Sequence, residues 1–229
     1  MRDIMIGAVF LILTIILYIL SKKLYSMFPN PFTLPIVTVS VLLVVLLFYT
    51  PISYDTYMIG GQWINFFLGP LVVALALPLY RQRALIKKYA KVIIIGISFG
   101  SIVGILSGVV LTILLRFDTT IIHTMASKSV TTPVALSITK TVDGNISLAA
   151  VFVMIAGLAG AMLGPILLKL AKVTHPVAQG IGIGTASHAI GTAKVLEKSE
   201  LAGAVSALSM TITAIIVSIL APAILHVLG

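Results

Sequence analysis

The residues able to do chemistry gather in two places. In the run 185–197, TASHAIGTAKVLE, a histidine, three hydroxyls and a lysine interrupt a chain that otherwise reads as lipid-facing. A basic side chain near the bilayer centre is costly, about 2.5–3.5 kcal/mol for lysine on insertion scales, so such groups face a bundle interior or a watered cavity. Read as one helix, Thr185, His188 and Thr192 fall at i, i+3 and i+7, with Ser187, Gly191 and Lys194 on the adjoining stripe. The two stripes make one continuous polar face, which we read as one wall of a solute site. If transport is coupled to protons, His188 is the candidate to carry them, because imidazole titrates near neutral pH. Lys194, Glu197, Lys198 and Glu200 cluster towards the end of the span and read as a solvated cytoplasmic turn.

The second place is KSVTTP at 128–133. Proline lacks a backbone donor and clashes with the preceding turn, yet it suits the first position of a new helix, where threonine can cap free amides. A half-helix is therefore expected to begin near Pro133, capped by Thr131 or Thr132, with N-terminal amides and partial positive charge at membrane depth. Lys128 and Ser129, just before the break, add a cation and a hydroxyl. The turn at 30–35, NPFTLP, is a weaker, uncharged counterpart with Asn30 and Thr33 as its polar members. Together with Thr185, Ser187, His188 and Thr192, these residues describe a substrate-binding pocket for a small organic anion carrying one or two charges.

Plainer readings stand beside this one. Pro35 and Pro133 also suit simple kinks, and a lone histidine suits a satisfied place in a core. Ser187 and Thr192 suit interhelical hydrogen bonds, worth about 0.6–2 kcal/mol each. Enzymatic readings fare worse, because Ser187 and His188 are consecutive and on a helix point about 100° apart, too far for a nucleophile and its base. The four histidines are scattered and the six acidic residues mostly border loops or termini, so neither a metal site nor a cofactor is expected. The chain has no cysteine, which excludes disulfides, thiol catalysis and cysteine metal sites. No basic patch is interleaved with stacking aromatics, which argues against nucleic-acid binding. Nor is there an evident mid-membrane aspartate of the kind a sodium/proton exchanger needs.

The elements that must carry these residues follow from composition. Hydrophobic residues make up 59% of the chain and charged residues 9%, with a mean hydropathy of +1.19, far outside the soluble range. The expected fold is an all-α integral membrane protein, one transmembrane domain over 1–229. The expected location is a bacterial cell membrane crossed several times. The start of the chain reads as a retained span, without a small-residue cleavage site. Apolar runs predict spans at 4–20, 31–49, 63–80, 92–115, 146–170, 176–195 and 201–228. The interrupted segment 119–142 completes about eight transmembrane segments. The stretch 50–62 reads as a loop. Five basic residues in 81–91 put that loop in the cytoplasm by the positive-inside rule, so both termini lie outside. Lys169 and Lys172 then fall outside, against the rule. Gly96, Gly100, Gly104 and Gly108 recur at every fourth position, a ladder that lets another helix approach closely.

Three signals also recur in order: NPFTLPI, LGPL and IGISFGSIVG in 30–115, then KSVTTPV, LGPI and IGIGTASHAIG in 128–228, with 1–23 an additional N-terminal span. Each recurs three spans later, so the copies are expected to cross in opposite senses. Such an inverted repeat with broken helices places a solute site near the midplane.

These motifs resemble the LrgB/CidB-like membrane proteins. The matching stretches are Asn30 and Pro31, YDTY at 54–57, FLGPLVVALALPLYRQR at 67–83, KSVTTPVA at 128–135 and GTASHAIGTAK at 184–194. Ser127 departs from the family pattern, which usually has proline there. The resemblance implies one of two roles. One is an antiholin-like or holin-like regulator of murein hydrolase activity and lysis, acting with a small four-span LrgA/CidA-like partner. The other is carriage of small monocarboxylates, as in plastid glycolate/glycerate translocators and bacterial pairs linked to pyruvate uptake. Carried over, Lys128, Ser129, Thr131, Thr132, Ser187, His188 and Thr192 become the candidate solute-binding residues. The expected partners are a small organic anion, the lipid bilayer, the four-span protein and a second copy of the chain.

Overall fold

The computed structural model describes residues 2–228, which form two compact units divided between Ala74 and Leu75. The described residues hold helices and no strands. Five helices are long and apolar enough to cross a membrane, Asp3–Met27, Tyr54–Arg81, Ala90–Leu114, Ile146–Leu170 and Glu200–Val227; Pro35–Tyr49 is shorter. Many of their large apolar side chains lie exposed, as a lipid-facing surface requires.

The first unit contains α1 (Arg2–Met27), a 3₁₀ turn (Pro31–Thr33), α2 (Pro35–Tyr49), α3 (Tyr54–Phe66) and α4 (Leu68–Ala74). The stretch expected as a loop, 50–62, is helical from Tyr54 onward. Ser53 caps that helix by accepting from the Thr56 amide at 3.2 Å, and Asp55 sits in its positive first turn. Gly60 lets α3 lie on α1, since a Cβ there would meet the Leu11 amide and Phe10 at 2.9 Å. Tyr57 completes the contact, edge-on to Phe10 with centroids 5.8 Å apart and 3.2 Å from the Thr14 hydroxyl.

The second unit contains α5 (Ala76–Arg81), α6 (Arg83–Lys88), α7 (Ala90–Leu114), α8 (Thr119–Met125), α9 (Thr132–Thr141), α10 (Ile146–Leu170), α11 (Pro176–Leu196) and α12 (Glu200–Leu228). The basic stretch expected as a loop is thus largely helical.

The segment 176–195, expected to cross the membrane, turns back instead, and so does the interrupted segment 119–142, expected to complete the count of crossings. α8 and α9 form a helical hairpin. Ser127 and Thr139 share a hydrogen bond of 3.0 Å across it, and the Thr124 hydroxyl accepts from the Asn145 amide at 2.8 Å. Both feet lie at one end of the unit, where Thr119, Thr141 and Asp143 line a cavity with Leu225 and His226 of α12.

α11 reverses at Ser187 (φ −136°, ψ 17°) and His188 (φ 40°, ψ −137°). Three contacts establish the reversal. Gly191 on the second limb lies against Ile183 on the first, a Cβ there falling 2.9 Å from that side chain. Gly184 and Thr192, one on each limb, both meet Ser206 of α12. Gln179 and Val195, one near each foot, line the same cavity as Lys169, Lys172 and Lys198.

At about 1.5 Å per residue each limb is only about 10–17 Å long, enough to reach the middle of a roughly 30 Å hydrocarbon layer and no further. The expected eight crossings are therefore not observed: 119–142 and 176–195 re-enter. The correction also removes the exception to the positive-inside rule. Arg81 pairs with Glu200 at 3.7 Å and Tyr89 stacks edge-on to His175 at 5.4 Å. The start of α7, the end of α10, both feet of α11 and the start of α12 thus share one end. Lys169, Lys172, Lys194 and Lys198 join Arg81 to Lys91 there, so the positive-inside rule assigns this one basic end to the cytoplasm without exception.

One symmetry follows. α8, α9 and α10 make a hairpin followed by a span, α11 and α12 make another, and the two enter from opposite faces. This inverted pair lies within 119–228, whereas of the two stretches that share recurring sequence signals, 30–115 runs across the division between the units and 128–228 lies within the second.

Candidate functional site: two hairpin tips on a glycine-lined span

α7 is the shared backing of both tips. A Cβ at Gly96 would fall 3.2 Å from Ile181, at Gly100 3.0 Å from the Thr185 hydroxyl, at Gly104 3.3 Å from the Ser129 hydroxyl, and at Gly108 2.7 Å from the Lys128 ammonium. The lower half of the ladder receives the first limb of α11 and the upper half receives the tip of the α8–α9 hairpin. Gly100 and Gly104 are one turn apart, about 6 Å, so Thr185 and Ser129 occupy neighbouring turns near the middle of the span. The ladder expected from the spacing is a packing device that doubles as the meeting line of the two tips.

α10 closes the other side in the same way. A Cβ at Gly157 would lie 2.7 Å from the His188 ring, and one at Gly160 would collide with Ser187. His188 is 4% exposed, and its Nε2–H donates to the Val153 carbonyl at 3.0 Å. A carbonyl only accepts, so this bond selects the Nε2–H tautomer and leaves Nδ1 free to take a proton without breaking it. Val153 packs in one apolar cluster with Val130 of the other tip.

At the first tip, Lys128 is half-buried. Its ammonium donates to the Gly104 carbonyl and lies 3.4 Å from the Ser107 hydroxyl. Among the described residues no carboxylate pairs with it. Thr131 is the N-cap of α9, with extended backbone (φ −67°, ψ 150°), and Pro133 stands in the first turn. The half-helix begins where the proline placed it, but the threonine cap does not form: no side chain bonds the N-terminal amides. Thr131 is half-buried, and Thr132 and Pro133 are exposed. An uncapped helix N-terminus and an ammonium without a carboxylate, three residues apart along the chain, each favour an anion.

The structure brings Lys128, Ser129 and Thr185 together along α7 and sets Ser187 and His188 against α10. The continuous polar face expected on α11 is broken at its centre. Ser187 donates to the Ile183 carbonyl at 2.7 Å within the first limb, and Thr192 donates to the His188 carbonyl at 2.7 Å within the second and bonds Ser206 of α12 at 2.8 Å, so these hydroxyls are spent on local structure and on seating the second limb against α12. Asn30 and Thr33 belong to the first unit, where they cap their own turn: the Asn30 carboxamide accepts from the Phe32 amide at 3.1 Å and Thr33 accepts from the Asn30 amide at 3.1 Å. Sequence reasoning missed Ser101 and Thr213, which bond across α7 and α12 at 3.1 Å, and Ser206. Ser206, Ser209 and Thr213 stand at i, i+3 and i+7 on α12, a signal readable beforehand.

No hydrogen bond joins Ser187 to His188, and the described residues contain no group of ligands able to hold a metal. What the arrangement offers is a fixed cation, hydroxyls and helix-end amides at mid-depth.

Comparison with known proteins gives the family. The family model described as LrgB-like matches residues 14–227. The chain is 42% identical to YxaC of Bacillus subtilis over 222 residues, 97% of this chain and 96% of that one. It is 35% identical to the holin-like protein CidB of Staphylococcus epidermidis over 98% of both chains, and 36% identical to that of Staphylococcus aureus over the same share. No solved structure matches. Matched by the family model over residues 14–227 and by relatives over nearly their full length, the chain belongs to the LrgB-like family of multi-pass bacterial membrane proteins.

Proposed function

We propose that the protein is a secondary carrier of small monocarboxylates of the glycolate, glycerate, lactate or pyruvate type. The observation that carries this reading is the convergence of two oppositely entering hairpin tips at mid-depth on α7, one bearing the unpaired Lys128 and the uncapped start of α9. Broken helices that meet near the midplane are the arrangement by which secondary carriers bind charged solutes. One ammonium and one helix end suit one carboxylate. Rocking of one hairpin against the other, over glycine faces that impose no side-chain barrier, provides alternating access. His188, with Nδ1 free, is the group that would couple transport to protons.

The test is uptake of labelled monocarboxylates by purified protein in liposomes. Lys128→Met, which removes the cation and leaves the start of α9 as it is, is expected to cut uptake at least tenfold. His188→Gln is expected to retain binding and flatten the pH dependence. Full activity of Lys128→Met would defeat the carrier reading.

A second reading has its own support, the printed name of the CidB relatives, holin-like: a membrane regulator of murein hydrolase activity and lysis, for which the family resemblance implies a small LrgA/CidA-like partner. Flux that requires the co-reconstituted partner would join the two readings. Partner binding without carboxylate flux would favour the second.

A further inference from the structure

The cytoplasmic end of the second unit holds a cavity that the solute site does not use. Lys169, Lys172 and Lys198 line about 230 Å³ above a floor that includes Pro165, Leu168 and Val195. The ion pairs among the described residues are Arg81–Glu200 and Lys194–Glu197, so none of these three ammonium groups has a carboxylate partner. Leu168 also lines a second, apolar groove of about 330 Å³ between α10 and the first limb of α11. That groove continues past Gly164 and Gly160 to Ser187 at the hairpin tip. Its rim residues Leu163 and Leu167 are 47% and 59% exposed, so it opens sideways to the bilayer. From Leu168 back to Ala156 along α10 is about 18 Å, close to the depth of one hydrocarbon leaflet, which is about half of 30 Å.

A cationic cup at headgroup level joined to an apolar trough one leaflet deep fits a single class of molecule. We propose that this surface binds an anionic phospholipid of the cytoplasmic leaflet. Its phosphate sits among Lys169, Lys172 and Lys198, and one acyl chain lies in the α10–α11 trough with its end against the hairpin that carries Ser187 and His188. Charge complementarity selects the occupant: a zwitterionic lipid would leave three ammonium groups around a headgroup of no net charge. The trough is bounded by the hairpin tip, so an occupying chain braces that tip against α10, and the state of the hairpin becomes sensitive to lipid composition.

The experiment uses the full-length protein in detergent with equal amounts of phosphatidylglycerol and phosphatidylcholine, and reads retained lipid by native mass spectrometry. Phosphatidylglycerol is expected to be retained in preference. Each lysine near an anionic headgroup is worth about a fivefold change in affinity. The triple variant K169Q/K172Q/K198Q is therefore expected to lose phosphatidylglycerol affinity by about a hundredfold. R83Q/K87Q/K88Q, which removes as much charge from the same end away from the cavity, should keep it. A156F/A159F fills the trough with the lysines intact and should also lose the lipid, with helicity by circular dichroism reporting that it folds. Equal losses in both triple variants would reduce the effect to diffuse charge and overturn the proposal. So would retention of soluble glycerol phosphate as tight as that of phosphatidylglycerol, or a dimer that separates when the trough is filled, the mark of a second copy in the groove.

Discussion

His188 is the residue on which the second hairpin turns, and its backbone is the least expected feature of the chain. A positive φ of 40° with ψ −137° is a conformation that a side chain disfavours, typically by about 1–3 kcal/mol, and it persists only where surrounding contacts enforce it. Those contacts are the Val153 carbonyl, the space left by Gly157 and the Thr192 hydroxyl on the His188 carbonyl. Both His188→Gly and His188→Ala lose the imidazole bond, but only glycine relaxes the backbone. The glycine variant is therefore expected to be about 1 kcal/mol more stable than the alanine variant, read as a higher melting temperature in detergent. An alanine variant equal to or more stable than glycine would mean that the turn is not made at this residue. The sequence marked His188 as a polar group needing a reason at membrane depth; it did not mark it as a break, because neither proline nor glycine stands at 187 or 188.

The hairpins are held in place by where glycine stands and where it does not matter. A Cβ at Gly184 would run into the Ser206 carbonyl and lie 2.7 Å from Ser209, so the first limb of α11 sits backbone-close to α12. A Cβ at Gly182 would meet nothing nearer than Leu168 at 3.9 Å. Gly184→Ala is expected to cost about 1–3 kcal/mol through overpacking, while Gly182→Ala, two residues away, is expected to be neutral or to stabilise by up to about 1 kcal/mol through helix propensity. Thermal unfolding of the two variants side by side checks this, and equal melting temperatures would remove the close approach of α11 and α12. The ladder on α7 was legible because small residues at every fourth position have one physical meaning. Its partner was not legible, since Gly96 to Gly108 only announce that something approaches closely. The start of α9 was equally plain from Pro133, whereas its missing threonine cap depended on how the tip folds against α7.

Over the whole molecule, the two re-entrant hairpins set which residues share a membrane face. Because the chain contains no cysteine, a single introduced cysteine reports its own side. Lys172→Cys and Lys198→Cys are expected to be blocked by a membrane-impermeant maleimide from the same, cytoplasmic, side, and Asp143→Cys from the opposite side. Eight full crossings would put residues 172 and 198 on opposite faces, so the pair distinguishes the two topologies directly. The membrane class, the cytoplasmic assignment of the basic stretch 81–91, the break before Pro133 and the polar character of 185–192 were already in the sequence, because composition, charge bias and the missing amide of proline act locally and need no neighbour. The turn-back of α11, the seating of Thr185 and Ser129 on neighbouring turns of α7 and the lysine cup beside the apolar trough were decided only on folding. Each depends on backbones far apart in the chain approaching closely, and a run of apolar residues reads the same whether it crosses a bilayer or goes halfway and returns.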